Sequence, residues 1–322
     1  MLRIATRRSP LARWQANHVA ELLRAREPGL EVVLHEVVTR GDRILEVPLA
    51  KVGGKGLFVK EIEDALLAGL AEVAVHSMKD LPAELSGGLV IGGVPEREDP
   101  RDALVAPRAG SLGGLSPGAR VGTSSLRRGA QLRALRPDLR IEMVRGNVET
   151  RLKKALHGSS PSAEPSLDAV VLAHAGLIRL GLAHHVTYLF PPEEMLPAVA
   201  QGALALEARA GDAVTLARLL ALEHPKTRVE VEAERGFLRR IGGSCQIPVA
   251  AHATALGGEV RLRALVASVD GSRLVRGERS GPSGGARELG ELVAEELLSR
   301  GADRILREAE AQGVALSPPG RG

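Results

Sequence analysis

Aromatic residues make up only 2% of this 322-residue chain, and it contains a single cysteine. The core must therefore be built from Leu, Val, Ile and Ala, and an internal disulfide is excluded, which agrees with a reducing cytoplasm. No apolar run approaches the roughly 18–20 residues that cross a bilayer. Residues 1–8 are charged where a secretory signal needs an apolar segment. We therefore expect neither a membrane protein nor a secreted one.

Lysine is also scarce, since seven of the 43 basic residues are lysines and 36 are arginines. The 39 acidic residues reduce the net charge to +4, whereas a nucleic-acid binder usually carries a larger and clustered positive excess. The few aromatic side chains also offer little surface for base stacking. We therefore expect no nucleic-acid partner. Codon preference accounts for the bulk of the arginines, so the positions of particular arginines carry the information.

Strand-like and helix-like segments alternate over the first two-thirds of the chain, which predicts parallel sheets covered by helices. A first block ends near residues 95–100, and a second block repeats its order. After about residue 223 the pattern changes and predicts an α+β unit. The predicted strands cover residues 2–6, 31–39, 71–76, 103–106, 120–123, 139–144, 168–173, 247–255, 259–268 and 273–280. The predicted helices cover residues 10–26, 58–70, 125–136, 148–156, 226–240, 286–300 and 302–312.

Basic and hydroxyl side chains follow several of the predicted strands at the points where these end. Ligands of open α/β sheets bind beyond the carboxyl ends of the strands, and guanidiniums, hydroxyls and helix N-termini attract anions. The pattern therefore predicts an anion-selective cleft; the alternative is that each arginine is a solvated helix residue paired with a nearby glutamate. The residues concerned are Arg7, Ser9, Ser77, Lys79, Asp80, Thr123, Ser125, Arg127, Arg128, Arg145, Gly146 and Arg151.

Two residues in this pattern have a distinctive chemistry. Asp80 is the only carboxylate at its strand end, and among cations it stays ionised and can stabilise a developing positive charge; otherwise it is a helix cap. Cys245 follows Gly-Gly-Ser and comes shortly before Pro248. A thiol on such a tight loop can act as a nucleophile or an attachment point, whereas most free cysteines are small buried hydrophobic residues.

Metal and nucleotide sites are disfavoured by the motifs that the chain lacks. The histidines show no metal-ligand spacing, so we expect no metal. Residues 53–56, Gly-Gly-Lys-Gly, lack the Ser or Thr that completes a phosphate loop, and Gly-x-Gly-x-x-Gly does not follow the first strand.

Seven motifs in order along the chain resemble the porphobilinogen deaminase family, also called hydroxymethylbilane synthases. The resemblance runs from residue 3 to at least residue 250, and the C-terminal segment has the expected size. The motifs are RIATRRSPLARWQA (3–16), KVGGKGLF (51–58), VHSMKDLP (75–82), GTSSLRR (122–128), RGNVETRL (145–152), QGALALE (201–207) and ERGFLRRIGGSCQIPVA (234–250).

The resemblance implies an enzyme that joins four porphobilinogen molecules head to tail, releases four ammonia molecules and makes a linear tetrapyrrole for haem synthesis. It implies a dipyrromethane cofactor attached to Cys245 through a thioether, and Asp80 as the catalytic carboxylate. The residues implied to bind the cofactor are Arg7, Ser9, Ser77, Lys79, Thr123, Ser125, Arg127, Arg128, Arg145, Gly146 and Gln201. Those implied to bind substrate are Arg7, Ser9, Lys51, Lys55, Arg145, Arg151 and Arg179.

The fold implied by the resemblance has two α/β domains similar to type II periplasmic binding proteins and a C-terminal α+β domain with a three-stranded sheet. Domain 1 comprises residues 1–94 and 197–221, domain 2 comprises 95–196, and domain 3, which carries the cofactor cysteine, comprises 222–322. A monomer in the cytoplasm is expected. A non-catalytic carboxylate-binding protein on the same scaffold is the alternative, and Cys245 within its motif argues against it.

Two loops and one histidine have further expectations attached to them. Residues 40–57 lack periodicity and are predicted to be a mobile loop that covers the cleft as a lid. Residues 157–166 are a polar loop, longer than the connection usual in the family, and are expected to be a tolerated surface insertion. His174 stands where the family usually has a small or aliphatic residue, and we interpret it as a core histidine with a satisfied hydrogen bond.

Overall fold

The computed structural model describes residues 1–39, 59–156, 167–242 and 247–312; the predicted loops at 40–57 and 157–166 lie outside these ranges. The described strands are β1 (Leu2–Arg7), β2 (Val32–Val37), β3 (Val73–Ser77), β4 (Leu89–Gly93), β5 (Asp102–Val105), β6 (Arg120–Gly122), β7 (Arg140–Glu142), β8 (Ala169–Ala173), β9 (Tyr188–Leu189), β10 (Leu204–Arg209), β11 (Val249–Leu256), β12 (Glu259–Ala267) and β13 (Leu274–Pro282). The described helices are α1 (Pro10–Arg26), α2 (Lys60–Leu67), α3 (Leu126–Leu135), α4 (Val148–Leu156), α5 (His174–Arg179), α6 (Ala213–Leu220), α7 (Pro225–Ile241), α8 (Ala286–Leu297) and α9 (Asp303–Gln312).

These strands form three sheets. The first sheet has the order β2-β1-β3-β10-β4, the second β7-β6-β8-β5-β9, and the third β11-β12-β13. The expected α/β class, with a three-stranded C-terminal sheet, is confirmed. None of the helices in the described ranges is both long enough and apolar enough to span a membrane.

Both five-stranded sheets are mixed rather than parallel, so this part of the prediction is wrong. In the first sheet β10 runs antiparallel to β3 and β4, and in the second β5 runs antiparallel to β8 and β9. The chain crosses from the first sheet to the second between β4 and β5 and returns before β10. β10 begins beside the end of β3, since Leu204 pairs with Ser77, and β5 begins beside the end of β8, since Asp102 pairs with Ala173. Each of these two strands therefore runs antiparallel to its neighbour.

The first helix illustrates how local sequence directs the chain away from a strand end. Ser9 caps α1, because its Oγ accepts a hydrogen bond from the backbone N–H of Ala12 at 3.3 Å, and Pro10 occupies the first turn. Proline suits that position because it has no N–H to leave unpaired. Val19 and Leu23 are buried in the core against the first sheet. The start of α1 is therefore held at the carboxyl end of β1.

Two tightly packed crossing segments join the five-stranded sheets. The N–H of Glu98 on the outward segment donates to the carbonyl of Gly202 on the return segment at 3.2 Å. Gly202 has a φ of +89°, and a Cβ there would lie 2.2 Å from the Glu98 carbonyl oxygen, so only glycine fits. Ala200 also has a positive φ, 56°. The crossing is thus a strained and close-packed element.

A carboxylate from the third unit holds both crossing segments. Glu234 on α7 pairs with Arg97 of the outward segment, with 2.7 Å between Nη1 and Oε1. It also accepts the N–H of Ala200 at 2.5 Å and the N–H of Ala253 in β11 at 2.8 Å. Glu234 is fully buried, so charge-assisted hydrogen bonds compensate for its desolvation. Glu234 therefore joins the two crossing segments to the third sheet.

Candidate active site

A first cavity lies between the two five-stranded sheets. Its walls come from the end of β3, the end of β8, the helices α1, α3, α4 and α5, and the return crossing at Gly202 and Ala203. Both sheets thus contribute strand ends, as the sequence predicted for a ligand cleft. The predicted site residues that line this cavity are Ser77, Lys79, Arg128, Arg151 and Arg179.

A second cavity adjoins the first on the side of the first sheet. The predicted residues Arg7, Ser9, Ser77 and Asp80 line it, together with His76 and the apolar side chains of the α2 region. The two cavities share Leu11, Gln15 and Ser77. Residues Met78–Asp80 form a single 3-10 turn after β3, and this turn brings Lys79 to the first cavity and Asp80 to the second.

Burial changes the proton affinity of the cations in the first cavity. Desolvation lowers the pKa of Lys79 to about 8, although the charge of Asp80 partly offsets the effect. Desolvation likewise lowers the pKa of Arg179 to about 10 and, together with the charge of Arg128, lowers the pKa of Arg151. Removing cations from water without a full set of anionic partners disfavours their charged forms. An anionic ligand would supply the missing negative charge, so this cavity favours carboxylates.

A buried carboxylate organises the arginine pair at the start of α3. Asp102 accepts hydrogen bonds from Arg127 at 2.6 Å and from Arg128 at 2.8 Å, and a third from the amide of Gln201 at 2.9 Å. Burial alone would raise the pKa of Asp102, but the two guanidiniums lower it far below its usual value. Arg127 also donates to the carbonyl of Leu196 at 2.8 Å. Asp102 thus fixes Arg127 in the protein interior and orients Arg128 at the cavity wall.

Gln201 connects the cations to the crossing segments. Its Oε1 accepts from Lys79 at 3.3 Å and from Arg128 at 3.4 Å, and its Nε2 donates to the Pro100 carbonyl at 2.7 Å. Arg179 donates to the Gly202 carbonyl at 2.7 Å, and its guanidinium lies 5.8 Å from the centre of the Trp14 ring. Lys79, Arg128 and Arg179 therefore contact the return crossing, the first two at Gln201, which was itself a predicted binding residue, and the third at Gly202.

Thr123, Ser125, Arg145 and Gly146 line neither cavity, but they lie at the starts of α3 and α4, whose Arg128 and Arg151 line the first cavity. Ser125 caps α3 by accepting the N–H of Arg128 at 3.4 Å, and Thr123 accepts the N–H of Ser125 at 3.2 Å. Gly146 has a φ of +108°, and its carbonyl accepts from Nε of Arg151 at 2.8 Å. Arg145 is half-buried and close enough to Arg151 for their charges to interact.

Three predicted residues fall outside the described ranges. They are Lys51, Lys55 and Cys245.

Several residues of this region were missed by the sequence analysis. Gln15 is buried and donates from Nε2 to the Ser77 hydroxyl at 2.8 Å; a glutamine on the buried face of a predicted helix was the available signal. Asp102 was missed because the strand was predicted to begin one residue later, at Ala103. His174, by contrast, was interpreted from the sequence as a core histidine with a satisfied hydrogen bond; it is half-buried, and its Nδ1 lies 3.1 Å from Oδ2 of Asp99. No cluster of His, Cys, Asp and Glu within the described ranges has the arrangement of a metal site.

A two-sheet α/β fold with a cationic cleft between its halves defines a class of proteins that bind anionic ligands. Comparison with known families identifies the family within this class to which the chain belongs. Residues 2–217 match the family described as porphobilinogen deaminase, dipyromethane cofactor binding domain, and residues 228–299 match its C-terminal domain. The chain therefore belongs to the porphobilinogen deaminase family.

Individual relatives agree with this assignment. The chain is 54% identical to the porphobilinogen deaminase of Pelobacter propionicus over 307 residues, which cover 95% of this chain and 96% of that one. It is 51% identical to the porphobilinogen deaminase of Syntrophotalea carbinolica over 317 residues, 98% of each chain. Among solved structures it is similar to the methionine binding protein MetQ, with a TM-score of 0.42 and 13% identity over 69% of this chain and 89% of that chain. It is also similar to the periplasmic aliphatic sulphonate binding protein SsuA from Escherichia coli, with a TM-score of 0.36 and 15% identity over 74% and 69%.

Proposed function

We propose that this chain is a transferase that condenses four porphobilinogen molecules head to tail into hydroxymethylbilane, with release of ammonia, in haem biosynthesis. The observation that carries the proposal is the set of desolvated cations in the first cavity beside the exposed carboxylate of Asp80. Each porphobilinogen ring has an acetate and a propionate side chain, so a growing chain is strongly anionic. A cleft with cations that lack full anionic partners suits such a ligand.

Asp80 has the chemistry that the reaction needs at its reactive centre. Loss of ammonia from porphobilinogen leaves a cation that is delocalised over the methylene carbon and the pyrrole nitrogen. We propose that the carboxylate of Asp80 stabilises this cation and accepts a hydrogen bond from the ring N–H. We propose that Lys79 in the first cavity and Arg7, which lines the second cavity together with Asp80, bind the ring carboxylates.

The dipyrromethane cofactor suits the same residues. It carries four carboxylates, and the first cavity presents Lys79, Arg128, Arg151 and Arg179 around one space. When bound, the cofactor supplies the pyrrole ring on which the product chain begins. We propose that Cys245 holds it through a thioether, that Thr123, Ser125, Arg145, Gly146, Arg127 and Gln201 complete its site, and that Lys51 and Lys55 contact substrate.

The domain boundaries and the state in solution are also proposals. We propose domain 1 at 1–94 with 197–221, domain 2 at 95–196 and domain 3 at 222–322; the membership of β10 in the first sheet supports the divided first domain. The lone cysteine suits a cytoplasmic location. We propose a monomer, which size-exclusion chromatography with light scattering would test.

An intact-mass measurement with an ammonia assay tests the function. We expect the purified protein to carry an extra mass equal to two linked pyrrole units, to release ammonia from porphobilinogen, and to form hydroxymethylbilane. The variant Cys245→Ala should lack both the added mass and the activity. A protein that binds porphobilinogen without releasing ammonia would instead be a carboxylate-binding protein, and the proposal would be wrong.

A further inference from the structure

A buried histidine at the second cavity, which Asp80 also lines, is paired with a buried glutamate, and neither residue has a role in the proposed function. Nε2 of His76 is 2.9 Å from Oε2 of Glu207. The His76 side chain is 5% exposed and that of Glu207 is fully buried. A paired ionisable couple is costly to bury, and apolar residues would fill the same space more cheaply. The cost of burying this pair therefore indicates that it has a chemical role.

The sheet itself holds the pair in place. In the antiparallel pairing of β3 with β10, His76 lies opposite Ala205 and Glu207 lies opposite Ala74. The two side chains are thus diagonal neighbours on one face, within reach of each other. His76 lines the second cavity together with Asp80, Arg7 and Ser9. One residue of a rigid buried pair therefore belongs to the reactive part of the cleft.

The hydrogen bond to Glu207 constrains the imidazole of His76. Oε1 of Glu207 has no hydrogen-bond partner within the described ranges, so Nε2 of His76 is the hydrogen-bond partner of this carboxylate there. Arg235 on α7 is buried and close enough for its charge to interact with Glu207. Glu207 then fixes a proton on Nε2 and leaves Nδ1 as a lone-pair acceptor.

We propose that His76 is a further catalytic residue, the base that accepts the proton released in each condensation, and that Glu207 is the positioning residue that fixes its tautomer. The inference rests on the proposed function. In each addition the π electrons of one pyrrole ring form a C–C bond from its free α-carbon to the methylene carbon of another unit. The C–H bond at that α-carbon then breaks, its electron pair restores the aromatic ring, and the proton passes to Nδ1 of His76.

A base other than Asp80 allows the carboxylate of Asp80 to stay negatively charged throughout the reaction. If Asp80 took the proton itself, it would become neutral and would no longer stabilise the cation of the next unit. Transfer to His76 instead creates an imidazolium next to the carboxylate of Glu207, where it is stabilised until it loses the proton to water. This division between an orienting carboxylate and an imidazole base is familiar from other enzymes.

The kinetic test uses His76→Gln in the cofactor-loaded protein. The glutamine amide can still hydrogen-bond to Glu207 but is not basic. We expect kcat to fall by about 10²-fold, with little change in KM. We also expect a primary isotope effect with porphobilinogen deuterated at its free α-carbon, because proton removal then limits the rate. His184→Gln, at an exposed position outside both cavity linings, is the matched control and should behave as wild type.

A second measurement does not depend on turnover. Nuclear magnetic resonance of the ¹⁵N-histidine-labelled protein near neutral pH should show His76 with a proton on Nε2 and none on Nδ1. Glu207→Gln should weaken this preference, lower kcat less than His76→Gln, and introduce the same isotope effect. If His76→Gln does not fold, the tautomer and the Glu207→Gln kinetics decide the matter.

The outcomes separate this inference from the proposed function. Normal turnover in His76→Gln, reduced turnover without an isotope effect, or a proton on Nδ1 in the resting protein would overturn the role of His76 while wild-type activity stands. If the wild-type protein releases no ammonia from porphobilinogen, the proposed function itself fails.

Discussion

Replacing Asp102 with asparagine tests whether one carboxylate holds the arginine pair. Asp102 is fully buried and accepts hydrogen bonds from Arg127, Arg128 and Gln201. Asp102→Asn keeps the shape but leaves two buried guanidiniums without their counter-charge. Breaking a buried ion pair in this way costs about 3–5 kcal/mol. With a slope of about 3 kcal/mol per molar urea, the unfolding midpoint should fall by about 1–1.7 M.

The assay is urea unfolding followed by circular dichroism, with Asp138→Asn as the matched control. Asp138 pairs with Arg136 at the surface, and exposed pairs contribute little, so its midpoint should stay near that of wild type. Because the folded-state pKa of Asp102 is lowered, its contribution is present above the unfolded value near 3.9 and is lost as the pH falls through the folded value. The difference between wild type and Asp102→Asn should therefore shrink below about pH 4. Equal midpoints for the two variants at pH 7 would refute the reasoning.

Three further predictions concern activity. Asp80→Asn should fold and retain the cofactor mass, yet its turnover should be about 10²–10³-fold slower, which is the usual effect of removing a group that stabilises charge in a transition state. Near-normal turnover would contradict the role of Asp80. Asp64→Asn, at an exposed position, is the control. Since the pKa of Lys79 in the cofactor-free cleft is about 8, porphobilinogen binding by the cofactor-free Cys245→Ala variant should weaken as the pH increases through that value. Adding Lys79→Arg should abolish this change; a parallel weakening in the double variant would exclude Lys79. Arg128→His should slow chain elongation, followed by the mass of bound intermediates, more than it lowers the unfolding midpoint; the reverse order would mean that Arg128 is mainly structural.

The sequence predicted which residues follow the strands at the site, because these residues begin helices and are recognisable from their immediate sequence neighbours. Ser9 follows β1 and caps α1, and Ser125 caps α3, as turn chemistry and hydrophobic periodicity indicate. The antiparallel strands were harder to predict. β10 was not among the strands predicted from the sequence, and the direction of a strand depends on where the chain returns from, which its own sequence, Leu-Ala-Leu-Glu-Ala-Arg, does not indicate.

Pairings between distant residues could not be predicted from local pattern. Asp102 lies 25 residues before Arg127 and 99 before Gln201 in the sequence, and no spacing rule relates them. The same holds for His76 and Glu207, which are 131 residues apart. Only the sheet register brings such residues together.

The Glu234 junction determines how the cleft can open. Its carboxylate ties the outward segment at Arg97, the return segment at Ala200 and the third sheet at Ala253 into one buried point. Sliding of the two five-stranded halves along the crossing would break these buried hydrogen bonds, so we expect any widening for a longer product to be a rotation about this point. Such a pivot gives small displacements near Gln201 and large ones at the distant rim, so room for added rings arises far from the crossing.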